Sequence, residues 1–174
     1  MRLGVRKIGL KGAAAALGAL AVATLTGCGA PEPPRVTFFA DGHAVDAAPL
    51  IHCDVRVRGC EQHEGATATL RARPGKPVQV SLPSEITDTP WAVNVQYSDA
   101  NGQLQPVKQD FFAQKTRHAY TATPGTPGGQ VLVVEIQQLG AAYAADEAGR
   151  PILDEAGNPQ LVVRAVWSLQ VQPS

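Results

Sequence analysis

Apolar and polar residues alternate with a period of two over most of this chain, and the longest such row is Leu161, Val163, Ala165, Trp167, Leu169 and Val171. That period puts successive side chains on opposite faces of a strand. The same pattern recurs in Ala68–Leu70–Ala72, Val78–Val80–Leu82, Trp91–Val93–Val95–Tyr97 and Leu132–Val134–Ile136. Val36 to Ala40 reads as a further strand, and Asp41-Gly42 as a hairpin turn into a segment running from His43 to Ala48. Leu50 to Val57 extends the series, with Cys53, Val55 and Val57 inward and Asp54, Arg56 and Arg58 outward. No comparable stretch after the first thirty residues carries a helical stripe; the alanines of 141–148 predict one or two turns at most.

Short strands broken by Pro, Gly, Asn and Asp predict an all-β fold, an antiparallel β-sandwich that is immunoglobulin-like in architecture. Trp91 and Trp167 are expected to face each other across its core or near it. Near the end, 146–151 (Asp-Glu-Ala-Gly-Arg-Pro) is echoed eight residues later by 154–159 (Asp-Glu-Ala-Gly-Asn-Pro). Both copies read as exposed turns.

The first 27 residues do not belong to that fold. Arg2, Arg6, Lys7 and Lys11 form a basic start, and Gly12 to Leu25 is apolar, small-sided and uncharged. This is too short for a comfortable membrane span of about 20 residues and reads as a signal peptide. Leu25-Thr26-Gly27-Cys28 has the order of a bacterial lipobox, so Cys28 is expected to be acylated, palmitate included, after cleavage before it. The expected organisation is a leader over 1–27, a lipidated proline-rich tether over 28–34 and a β-sandwich over 35–174. The mature protein then sits on the outer face of the plasma membrane, anchored by lipid.

Charge and cysteines narrow the partners. The leader holds four of the fifteen Lys and Arg and none of the fifteen acids, so the mature chain has eleven against fifteen, a net −4. Nucleic acid is excluded as an expected partner, because binding phosphate needs a basic surplus. Cys53 and Cys60 are an even pair in an exported chain and are expected to bond to each other. His52 and His63 flank them, but the spacing fits no familiar zinc site and no metal is expected.

Candidate chemistry is sparse. Ser81, Ser84, Ser98 and Ser168 lack a nucleophile elbow, and there is no zinc-binding helix motif or phosphate-cradling glycine loop. Asp146, Glu147, Asp154 and Glu155 offer oxygens to calcium, yet their spacing is not that of an EF-hand and solvated turns are expected. Arg56, Arg58, Arg71 and Arg73 form the most suggestive set: were their strands paired, four guanidinium groups would share one side and suit an anionic group. Otherwise they blunt strand edges. His118, beside Arg117, stands apart from other titratable groups.

These landmarks together resemble the lipoprotein family catalogued as domain of unknown function 2771. The resemblance rests on the lipobox cysteine and proline spacer, Val36 to Gly42, His52-Cys53 with Cys60, Pro77 to Pro83, and Pro90-Trp91 leading to Val95-Gln96-Tyr97. It implies an exported envelope lipoprotein of Gram-positive bacteria with mycolate-type walls, and it supplies no activity or catalytic residue. The expected role is a non-enzymatic binding or adaptor module without a cofactor, contacting an envelope protein or lipid. The alternative is a lipid or small-molecule carrier with an inter-sheet cavity, which an aromatic content of only 5% disfavours.

Overall fold

The two longest strands meet in one antiparallel pair. A computed structural model describes residues 32–154 and 157–174. The leader, Cys28, the first residues of the tether and Glu155 lie outside them. Along the described chain run β1 (Val36–Ala40), β2 (His43–Ala47), β3 (Ile51–His52), β4 (Glu61–Gln62), β5 (Ala68–Ala72) and β6 (Val78–Ser81). A single helical turn, α1 (Ser84–Thr87), precedes β7 (Trp91–Ser98), β8 (Lys108–Phe112), β9 (Ala119–Ala122), β10 (Gln130–Tyr143) and β11 (Leu161–Pro173).

The strands form a β-sandwich. Its smaller sheet has the order β2-β1-β6-β9, and its larger sheet runs β4-β3-β11-β10-β7-β8. β5 lies on the same edge of β11 as β3 and pairs with it in parallel, the one parallel ladder among the described strands. The expected hairpin is present, with Val36 opposite Ala47, and Asp41 and Gly42 both take positive φ, as a tight two-residue turn requires. The apolar members of the alternating rows fill the space between the sheets: Phe38, Val80, Trp91, Ile136, Trp167 and Leu169 are all buried.

Both tryptophans are fully buried in the core, on the same sheet. Trp91 pairs with Gln138 and Trp167 with Ile136, so they flank β10 on the core face of one sheet instead of facing across the core. Trp91 stacks on Phe112 at 4.3 Å, and Trp167 Nε1 donates to the Pro34 carbonyl at 2.9 Å, pinning the chain where it enters the domain. Gln138 is fully buried, and its amide donates to Glu85 O at 2.8 Å and Thr89 Oγ1 at 3.1 Å. A polar core side chain thus holds α1 over the end of the sandwich. The open side between the edge strands β8 and β9 is latched by Tyr120, whose hydroxyl donates to Asp110 Oδ2 at 2.6 Å.

One strand expectation is corrected. The strand read over Leu50 to Val57 stops at His52, because the chain turns at Asp54 into a disulfide-closed loop. The alanines of 141–148 make no helix: β10 continues to Tyr143, and the chain then enters two tight turns.

Candidate functional site

The cysteine loop is a rigid knob. Cys53 and Cys60 are bonded, and between them Asp54 Oδ1 accepts the backbone N–H groups of Arg56 at 2.9 Å and Arg58 at 2.8 Å. Backbone bonds from Val57 N to Asp54 O and from Asp54 N to Arg58 O close the turn. Val57 is held there at φ 55°, a left-handed conformation that a β-branched residue rarely adopts. The loop presents Val55, which is 72% exposed, between outward-facing surroundings that include Arg56 and Arg58. Because the thiols are joined, they are closed to zinc, and burial pushes the neighbouring His52 imidazole below its ordinary value, helped by Arg164.

The four arginines are not brought together as a set. Arg56 and Arg58 sit on this loop, whereas Arg71 is on β5, which pairs with β11 and not with β3. Arg73 is engaged elsewhere: its Nε and Nη2 reach Asp41 at 2.7 and 2.6 Å, and its backbone N–H also donates to that carboxylate. The sequence missed this because alternation does not reveal which strands become neighbours.

The acidic repeat caps its own turns. Asp146 Oδ1 accepts from Ala148 N and Arg150 N, and Asp154 Oδ1 accepts from Asn158 N. The Arg150 backbone N–H, together with its guanidinium Nε donating to Asp146 Oδ2 at 2.8 Å, holds the Asp146 carboxyl below the usual carboxylate range. Among the described residues no group of three or more His, Cys, Asp or Glu could hold a metal ion. His118 Nδ1 lies 2.8 Å from Thr87 Oγ1, but Thr87 is completely buried, so this pair is a structural clasp between α1 and the residue just before β9.

The outer face of the larger sheet is the better site. Register sets Gln109 beside Asn94 and Asn94 beside Glu135, while the next row up runs through Gln96 and Val133. Gln109 Nε2 donates to Asn94 Oδ1 at 2.8 Å, Asn94 Nδ2 to Glu135 Oε1 at 3.2 Å, and Gln137 Nε2 to the same oxygen at 2.7 Å. A groove of about 400 Å³ runs over these side chains, lined by Asn94, Gln96, Val107, Gln109, Val133 and Glu135. Phe111, 65% exposed, is the next outward-pointing residue on β8. The amides are planar groups with both donors and acceptors, and their mutual bonds fix which way each one points. Asn94 and Gln96 were visible as the polar members of their strand, but nothing in the sequence marked Lys108–Phe112 as the strand that completes the groove.

A family model described as a protein of unknown function (DUF2771) matches residues 29–172. Uncharacterized proteins of Mycobacterium tuberculosis and Mycobacterium bovis are each 26% identical to the chain over 142 residues, 81% of this chain and 79% of theirs. No solved structure matches it significantly.

Proposed function

We propose that this chain, which belongs to the DUF2771 family of proteins of unknown function, is a lipid-anchored envelope module that binds its partner without catalysis. In this reading residues 1–27 are a signal peptide, Cys28 carries the acyl chains, and the domain stands on the outer face of the plasma membrane. No helix among the described residues is long and apolar enough to cross a membrane; in this reading the acyl chains on Cys28 supply the attachment.

The observation that carries the reading is the hydrogen-bonded amide groove of Asn94, Gln109 and Glu135 on the outer sheet face. Its side chains are already ordered, so binding there costs little conformational entropy. Filling of the inter-sheet space by Trp91, Trp167, Phe38 and Ile136 favours a surface binder over a carrier. A photo-cross-linking residue at Gln96 in the native envelope is expected to capture a component that the same residue at Gln79, on the smaller sheet, does not. Equal capture from both positions, or none from Gln96, removes the proposal.

A further inference from the structure

We infer that the groove on the outer face of the larger sheet takes a neutral carbohydrate; this rests on the binding-face reading above and names its ligand class. The groove's lining contains one charged side chain, Glu135, and that carboxylate already accepts two amide hydrogen bonds through Oε1. An anionic ligand finds no cation in the lining, and a cationic one would meet a single carboxylate whose Oε1 is already shared. What the lining offers in quantity is the amide group, in Asn94, Gln96 and Gln109.

An amide matches a sugar ring in a specific way. Every hydroxyl of a polyol is both donor and acceptor, and every side-chain amide has two N–H donors and a carbonyl oxygen with two lone pairs. In the chain from Gln109 through Asn94 to Glu135, one N–H of Asn94 and one of Gln109 are spent on fixing orientation, and the second on each remains to donate. A ligand therefore meets a row of oriented donors and acceptors. The apolar members complete the match: Val107 and Val133 line the same groove, and Phe111 exposes its ring beside it. A pyranose presents a C–H face as well as hydroxyls, and aliphatic and aromatic carbon is what covers that face. A protein partner would more ordinarily anchor on exposed Trp, Tyr or Arg, and none of these lines the groove. The volume, about 400 Å³, lies at the small end of ligand sites and suits one or two sugar units of a longer chain.

The test uses the full acylated chain held in a sugar-free amine-oxide detergent, titrated by calorimetry with soluble dextran, mannan and galactan. At least one polymer is expected to bind, with affinity falling at least tenfold in the Asn94→Ala/Gln109→Ala double variant and in Gln96→Leu. Binding should be unchanged in Arg56→Ala/Arg58→Ala, and circular dichroism should show all the variants folded. The inference is overturned if no polymer binds, or if the groove variants bind as the parent does. Cross-linking from Gln96 separates the two claims: capture of a protein there, with no polymer binding, sinks the carbohydrate and leaves the binding face, whereas failure of both sinks both.

Discussion

The ion pair between Asp41 and Arg73 joins two turns that are 32 residues apart in the chain. Arg73 grips the carboxylate with two guanidinium nitrogens and a backbone N–H, which holds the Asp41 carboxyl well below the usual carboxylate range. A carboxyl lowered on folding stabilises the protein above its unfolded pKa, near 4, and loses that contribution as the pH falls towards the folded value. Asp41→Asn keeps a residue that tolerates positive φ and removes only the charge. Because Arg73 is largely solvent-exposed, the effect is modest: melting at pH 7 should drop by about 1–3 °C. The gap between variant and parent should narrow as the pH is taken from 5 to 2. A gap that stays constant across that range would show that the carboxylate contributes through shape alone.

Among the elements, those with unlike faces were the legible ones. β10 and β11 announce themselves because one side packs on the core and the other carries glutamine, serine or glutamate, so the period of two survives along their whole central length. β8 was illegible for the opposite reason: Lys108 and Asp110 point toward Tyr120 while Phe111 is exposed, so its polarity runs against its burial. The segment after His52 alternates as well as any strand, yet the bond between Cys53 and Cys60 closes it into a loop. From chain entropy alone a loop this short is worth about 2–3 kcal/mol, and releasing Val57 from its left-handed conformation offsets part of that. Cys53→Ser/Cys60→Ser should therefore cost about 1–2 kcal/mol in urea unfolding, with the slope nearly unchanged because the sandwich itself is intact. Gly129 tests the other end of β10: a Cβ there would lie 2.5 Å from the Ser98 carbonyl oxygen. Gly129→Ala should lose about 1–3 kcal/mol in the same assay, since backbone must move to admit it.

Across the whole domain the elements sort into two ends, and this bears on how the proposed anchor would present the binding face. Asp41, at the end of β1, meets Arg73, just beyond the position where Ala72 is in register with Pro173; the turns at 74–76 and 124–129 meet at this end through Gly75 N and Gly129 O. At the opposite end lie α1, the cysteine loop and the tight turns after Tyr143, and there Pro34, held by Trp167, leads into β1. Glu32 is only four residues beyond Cys28, a length that spans at most about 14 Å when fully extended. Acylation at Cys28 would therefore keep the start of the domain within a short tether of the bilayer. Each buried methylene contributes about 0.8 kcal/mol, so two or three acyl chains would make attachment effectively permanent. Cys28→Ala should accordingly shift the protein more than tenfold from the membrane to the soluble fraction, and its intact mass should lack any acyl increment. An unchanged membrane fraction and an unchanged mass would remove the anchor, and with it the reason for placing the amide face outside the cell.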